Sequence, residues 1–379
     1  MNTSWVPARA GDALADVDTP ALIVDLDRFE ANVARLMQAV AGHDVRVRPH
    51  AKSHKCVEIA RRQVAAGAIG ICVQKTSEAE PFLAAGIGDV LVTNEVVGAR
   101  KLAQLAALAA RFPAARVGVC VDDASVVAPL AQACDAAAAR LDVYIELDVG
   151  HDRAGVADPG AAVALARAID AQPSLHLRGL QAYFGSAQHR RGIDERRRAI
   201  ESAAAIARAA RDALRAAGLP CDAVTGAGTG TYLHEAASGV YTEIQPGSYV
   251  LMDVDYAKNE QDPRWPRFDQ SLFILATVMS RRHDARGDRA TLDAGLKAFS
   301  TDSGPARPTF PGWQVHAVSD EHTVLTRVGE DGPEIKIGAK ALLVPGHCDP
   351  TVNLHDWIVA VRKGKVEDVW RIDARGAVF

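Results

Sequence analysis

The chain has 379 residues, 48% of them hydrophobic and 24% charged, with a formal net charge of −4. That balance suits a globular protein with a sizeable core, organised as one large domain plus a smaller one, and leaves no electrostatic footprint for nucleic acid. No apolar run reaches membrane-spanning length, and Met1-Asn2-Thr3-Ser4-Trp5-Val6-Pro7 carries neither a basic nor an apolar leader region, so a cytoplasmic protein is expected.

The first 17 residues are polar and are expected to wrap onto another part of the structure. Residues 20–26 read as a strand, and Asp27 is placed to cap a helix running through Phe29, Val33, Leu36 and Met37. A regular alternation follows. Strand patterns fall at 45–47, 69–73, 90–93, 116–121, 143–147, 177–182, 223–225 and 242–245. Between them lie alanine-rich helical stretches, among them 81–85, 99–110, 125–139, 161–171 and 196–217, and Ser77-Glu78-Ala79-Glu80 has capping-box spacing. About eight strand–helix repeats predict a parallel (β/α)8 TIM-type barrel, and no GxGxxG fingerprint follows the first strand.

After about Tyr256 the texture changes. Alanine helices give way to β-patterned runs at 273–278, 291–293, 314–317, 324–328, 335–337, 341–344 and 357–361, with a turn at Gly329-Glu330-Asp331-Gly332-Pro333. The expected organisation is therefore an α/β barrel plus an all-β domain. Residues 1–26 form a segment associated with the β domain, 27–255 the barrel, and 256–379 the β domain.

The six cysteines form no CxxC pair, which argues against a zinc ribbon or a disulfide framework. Chemistry collects instead where strands end. Arg48-Pro49-His50-Ala51-Lys52-Ser53-His54-Lys55 follows the first barrel strand and runs into a helix. A lysine on a surface helix is ordinarily solvated, whereas one fixed at a strand end is able to form a Schiff base with a carbonyl group. Thr225-Gly226-Ala227-Gly228-Thr229-Gly230-Thr231 is a glycine-rich turn before a helix, with bare N–H groups and hydroxyls suited to a phosphate. A phosphate cradle across the rim from a reactive lysine points to pyridoxal phosphate. Gln74, Asn94, Asp148, His151, Arg153, Tyr183, Ser186, Gln188 and His189 fall on the same rim.

In the second domain, His347 and Asp349 of Pro345-Gly346-His347-Cys348-Asp349-Pro350 would share one side of an extended segment and suit a divalent ion, while Cys348 would face packing. A His–Asp hydrogen bond on a surface loop is the plain alternative. The run from Asp293 to Pro305 is either an ordinary connection or one that brings Lys297 or Ser300 to a substrate carboxylate.

On Asp18-Thr19-Pro20-Ala21, the Arg48–Lys55 motif, Thr225–Thr229, Asp293-Ala294-Gly295-Leu296-Lys297 and Gly346–Leu354, almost the whole chain resembles the D-threonine aldolase family of alanine-racemase-like, fold type III pyridoxal-phosphate enzymes. The resemblance implies a homodimer with its active site between barrel and β domain. It implies that Lys52, not Lys55, holds the cofactor, and that His347 and Asp349 hold a divalent metal, typically manganese, with Mg2+ also admissible. Related D-serine and 3-hydroxy-D-aspartate dehydratases bind zinc through His-x-Cys, and Asp349 stands where they have that cysteine. Retro-aldol cleavage of β-hydroxy-D-amino acids is the expected activity, with dehydration, or a 3-hydroxy-D-aspartate aldolase activity, as the alternatives. His189 is favoured over His50 and His54 as the base. Tyr183 and Arg153 compete for the pyridine nitrogen, and Gln74, Thr225, Gly226, Gly228 and Thr229 complete the cofactor's expected surroundings. Lys55 is expected to be an ordinary solvated lysine.

Overall fold

Strand β1 (Ala21–Asp25) is apolar because four of its five residues are fully covered. Its last residue, Asp25, caps α1 (Leu26–Val40) by accepting the Arg28 N–H, two residues ahead of the expected cap at Asp27. The computed structural model describes residues 5–285, 287–329 and 332–379.

The barrel is then built from β2 (Arg46–Val47), α2 (Val57–Ala65), β3 (Ile71–Val73), α3 (Thr76–Ala84), β4 (Asp89–Glu95), α4 (Ala99–Arg111), β5 (Arg116–Val121), α5 (Ala124–Ala136), β6 (Leu141–Glu146), α6 (Pro159–Asp170), β7 (Leu175–Gln181), α7 (Ile193–Ala216), β8 (Ala223–Gly226), α8 (Tyr232–Ala237) and β9 (Glu243–Ile244). All eight expected barrel strands form, and they pair in parallel in the order β2-β9-β8-β7-β6-β5-β4-β3. The two ends of that path meet through a parallel bridge between His50 and Cys72, with the Ile69 and Cys72 N–H groups donating to the Val47 and Pro49 carbonyls. The sheet thus closes as a (β/α)8 barrel. Small residues such as Ala106, Ala162, Ala166 and Ala203 let the helices lie close against it. At α3 the cap differs from expectation. Lys75 is the N-cap, and Glu78, not Glu80, reaches back to its N–H.

After α9 (Val254–Ala257) come β10 (Leu272–Asp284), β11 (Gly287–Leu292), β12 (Arg307–Pro308), β13 (Trp313–Val318), β14 (Thr323–Arg327), β15 (Lys340–Val344), α10 (Cys348–Val352), β16 (Trp357–Arg362) and β17 (Lys365–Arg371). They form a mostly antiparallel sheet, β13-β14-β11-β10-β1-β16-β17, with β15 also on β10. Strand β1 lies inside it, antiparallel to β10 and parallel to β16. Residues 335–337 form no strand, because the Ala339 N–H bonds the Lys336 carbonyl and closes a turn there, while the Gly338 N–H reaches the Val278 carbonyl of β10. The turn expected at 329–333 includes Glu330 and Asp331, which lie outside the described residues, as do residues 1–4. The segment before β1 wraps onto the β16–β17 hairpin, with Gly11 and Leu14 N–H groups on the Val366 and Gly364 carbonyls.

One apolar core holds the parts together. Phe29, Leu36, Ile59 and Tyr249 belong to the same cluster as Ile274, Leu343, Ile358 and Trp370. Among the described residues, no helix is long and apolar enough to cross a membrane.

Candidate active site

The floor beneath the site is ionic. Arg48, fully buried inside the barrel, donates Nε to Glu243 Oε2 at 3.0 Å and Nη1 to Asp89 at 2.5 Å. Burial opposes its charge, but the two carboxylates outweigh that and raise its pKa further. This pairing anchors the chain just before Pro49, so the next residues leave the strand at a fixed angle.

His50 then caps a single 3-10 turn, Ala51–Ser53, its Nδ1 accepting the Lys52 N–H. Its Nε2 lies 2.9 Å from Thr93 Oγ1, whose own proton is used on the Val73 carbonyl. His50 is therefore the donor at Nε2, and burial holds it neutral, well below the usual imidazole range. His54 is also buried and pushed down to about 4, chiefly by burial. Neither ring is poised as a base.

Lys52 Nζ sits 2.5 Å from Asp349 Oδ2, so the barrel and the β domain meet at this pair. Burial works against both charges. The Asp349 carboxylate nonetheless raises the lysine above its ordinary value, and Lys52 with His347 holds Asp349 well below the usual carboxylate range. Lys55 differs from expectation. It is buried, with a positive φ of 51°, and its ammonium bridges Glu78 and Asn353.

His347 and Asp349 do not lie on an extended segment. His347 is the N-cap of α10, and Asp349 is in its first turn. The Asp253 carboxylate accepts the Cys348 N–H and fixes that turn. Cys348 is fully buried, its Sγ 3.3 Å from Asp349 Oδ1, and burial pushes its thiol well above the ordinary value. Asp302 takes His347 Nδ1 at 2.7 Å, leaving Nε2 as the nitrogen free to ligate. Among the described residues, no ready group of three or more His, Cys, Asp or Glu side chains is arranged for a metal. One imidazole and one carboxylate, the latter already facing a cation in Lys52, fit a divalent ion whose remaining positions go to water or substrate oxygen.

Lys52 lines a cavity of about 310 Å³, shared with His50, Gln74, His151, Arg153, Tyr183, His189, Gly228, Thr229, Ser248 and Tyr256. Across it from Lys52 lies the glycine loop between β8 and α8. A Cβ on Gly226 would lie 2.5 Å from the Ala182 carbonyl, and one on Gly228 would lie 2.5 Å from Gln188 Oε1. Thr225 accepts from Gln245 Nε2, and Thr229 Oγ1 accepts the Tyr249 N–H. Among the described residues, no protein acceptor takes the N–H of Gly228 or Thr229. These two donors suit the phosphate of pyridoxal phosphate.

On the remaining wall, the Arg153 guanidinium lies 5.9 Å over the Tyr183 ring and 3.8 Å from Glu146 at the end of β6. Burial, reinforced by Glu95 and opposed by Arg153, pushes the Glu146 carboxyl up to about 8. His189 Nδ1 meets Asp255 Oδ2 at 2.7 Å, and Asp255 also pairs with Arg191 at 2.6 Å. Its Nε2 is thus the nitrogen left for the cavity.

Lys297 and Ser300 sit apart from the cavity within this chain. Lys297 is exposed and paired with Glu321 at 2.5 Å, and Ser300 Oγ donates to Asp302. The loop reaches the site through Asp302. Sequence reading did not find Asp302 or Asp255, since each partners a histidine 45 or 66 residues away along the chain.

A closed barrel with one lysine at the end of its first strand, an anion-ready glycine loop across the mouth and a β domain meeting both has the layout of the alanine-racemase-like pyridoxal-phosphate enzymes. Comparison with known proteins agrees. Residues 24–255 match the family described as "Alanine racemase, N-terminal domain", and residues 271–361 match "Putative serine dehydratase domain". A D-threonine aldolase of Arthrobacter sp is 51% identical over 98% of this chain and 96% of its own. A 3-hydroxy-D-aspartate aldolase of Paracoccus denitrificans (strain Pd 1222) is 43% identical, covering 98% of this chain and 95% of its own. The crystal structure of D-threonine aldolase from Filomicrobium marinum superposes with a TM-score of 0.94 at 45% identity, covering 99% of this chain and 100% of that one. The chain belongs to the D-threonine aldolase group of the alanine-racemase-like family, pyridoxal-phosphate-dependent carbon–carbon lyases.

Proposed function

We propose that the protein cleaves D-threonine and other β-hydroxy-D-amino acids to glycine and an aldehyde, with pyridoxal phosphate on Lys52 and a divalent ion, Mn2+ before Mg2+, at His347 and Asp349. The observation that carries the reading is the 2.5 Å meeting of Lys52 with Asp349 on the wall of one cavity that also holds His189.

The cofactor, when bound, supplies an electron sink for the pair left on Cα as the Cα–Cβ bond breaks. The metal supplies a Lewis acid for the β-hydroxyl. The protein's own residues do the rest. Gly228 and Thr229 would donate their N–H groups to the phosphate, and Thr225 and Gly226 shape the turn behind it. Arg153, Tyr183 and Gln74 line the ring's space, with Arg153 lying over the Tyr183 ring. His189 Nε2 takes the β-hydroxyl proton, and Asp255 at Nδ1 keeps the ring oriented and stabilises the imidazolium. Lys52 then returns a proton to Cα.

The reading extends to a cytoplasmic homodimer, supported by the family resemblance, and to a division into a 1–26 segment, a 27–255 barrel and a 256–379 β domain. The pairing of β1 with β10 and β16 supports grouping the first segment with the β domain. Asp349, in place of a cysteine, favours aldol cleavage over dehydration. The Paracoccus relative makes 3-hydroxy-D-aspartate, releasing glyoxylate, the second substrate to try.

The test is incubation of the chelated, pyridoxal-phosphate-loaded protein with D- and L-threonine, with and without Mn2+. Acetaldehyde and glycine should arise from the D isomer alone and only with metal. A keto acid and ammonia as products would overturn the reading in favour of a dehydratase.

A further inference from the structure

We infer that Lys55 is a positioning residue that sets the metal affinity of the site, its ammonium clamping the helical turn that carries Asp349 to the turn that carries Lys52. The inference rests on the assignment of the metal to His347 and Asp349 made above.

Lys55 is only 7% exposed, in a sequence position where a solvated lysine is the ordinary outcome. Its Nζ lies 3.0 Å from Glu78 Oε1 and 3.0 Å from Asn353 Oδ1. Glu78 is itself buried at the start of α3, and its second oxygen accepts the N–H groups of Gln74 and Lys75 at 2.6 and 3.1 Å. The carboxylate is thereby pinned to the wall behind the cofactor space. Asn353 is the C-cap of α10, its own N–H reaching back to the Asp349 carbonyl one turn earlier. The same Oδ1 that receives Lys55 also accepts the Gly376 N–H at 3.2 Å, which fixes the orientation of the amide.

One cation therefore joins three pieces: the Lys52 turn, the head of α3 and the far end of α10. The backbone agrees, since the Lys55 N–H bonds Ala51 and its carbonyl accepts the Ala374 N–H of the β domain. An exposed lysine makes a weak and mobile pair. A buried one must keep its partners in place or bear the full cost of desolvation. Opening the gap between Asn353 and Glu78 would strand this ammonium, so the clamp holds Asp349 at a set height above Lys52. Ligand atoms that are held in place by such outer partners bind metal more tightly than free ones.

The experiment uses the pyridoxal-phosphate-loaded protein, stripped of divalent ions and titrated with Mn2+ alone, free Mn2+ being read by electron paramagnetic resonance. No substrate is present. Asn353→Ala removes the acceptor for Lys55 across the domains, and with it the acceptor for the Gly376 N–H, and leaves Lys55 paired with Glu78. It should raise the Kd for Mn2+ about 10–100-fold, with bound-cofactor absorbance and thermal midpoint close to those of the parent. Asn353→Asp keeps the acceptor oxygen and should restore tight binding, while Lys55→Met should match the alanine variant wherever it folds. Asp349→Asn serves as the control for the metal assignment. Parent-like Mn2+ affinity in Asn353→Ala, with affinity lost in Asp349→Asn, overturns the clamp. A loss in Asn353→Ala that comes with loss of cofactor absorbance also overturns it, as general disordering. Unchanged affinity in Asp349→Asn overturns the metal assignment instead.

Discussion

Acid sensitivity should be written into His54. The ring is wholly buried, edge-on to Phe82, with Nδ1 accepting the Cys56 N–H at 3.1 Å. The ring proton therefore sits on Nε2, which finds no partner among the described residues. A second proton would have to go to Nδ1, in place of the Cys56 N–H it accepts, and would leave an unsolvated charge on the ring. Burial, opposed only in part by Asp349, accordingly lowers the pKa from 6.5 to about 4. The folded-state value lies below the unfolded one, so the unfolded chain takes up a proton as pH falls through 6.5 while the folded chain does not until about 4. Stability present above pH 6.5 is thus lost on acidification, by about 2 kcal/mol at pH 5 and about 3 kcal/mol below pH 4. His54→Asn keeps an acceptor for the Cys56 N–H and removes the titration. Urea unfolding of both holoproteins at about pH 7, 6 and 5 gives the comparison, through midpoint shifts at a common m-value. The variant starts less stable, having lost the Phe82 contact, but should lose about 2 kcal/mol less than the parent between pH 7 and 5. His234, likewise driven to about 4 by burial, and His50 and His355, also lowered by burial, remain in both and contribute to the residual slope. Equal losses in the two proteins would refute the reasoning.

Lys52→Ala should abolish the visible absorbance of lysine-linked pyridoxal phosphate and reduce turnover to background; a parent-like spectrum would remove Lys52 from its role. His189→Asn should lower kcat by about 10²–10⁴-fold with little change in cofactor absorbance. If kcat is unchanged, the base lies elsewhere. Gly228→Ala would bring a Cβ to 2.5 Å from Gln188 Oε1, and Gln188 is pinned by Phe184, Thr231 and Gly230. The strain, about 1–3 kcal/mol, should appear as faster loss of pyridoxal phosphate on dialysis; retention equal to the parent's would show that the loop yields.

The barrel was legible because strands such as β4 and β5 are short β-branched runs and helices such as α4 and α7 are longer and alanine-rich, so the two periods do not mimic each other. Residues 335–337 misled because Ile335 is buried as a plug without a strand partner. Strand β17, Lys365–Arg371, escaped because its outward face is charged and only Val366 and Trp370 are buried. At the site, Lys52 and the glycine loop carried local signals: a strand end, bare N–H groups. The partners of His189, His347 and Lys55 carried none, since Asp255, Asp302, Glu78 and Asn353 are common polar residues whose meaning comes only from the folded contact. Lys55 in particular reads like any surface lysine until Glu78 and Asn353 close around it.

Strand β1 has a consequence for how the molecule is made. Its neighbours, Leu272–Leu275 and Ile358–Val361, leave the ribosome roughly 250 and 340 residues after it begins to emerge. The barrel that follows β1 finds its own partners within neighbouring repeats and is free to assemble early. Residues 21–25, almost wholly apolar, have no partner strand until β10 arrives, and none on their other edge until β16 does. Nascent chains halted between the barrel and β10 would carry this strand with both edges of its ladder unpaired, and they are the forms on which a chaperone that holds exposed strands would have most to act.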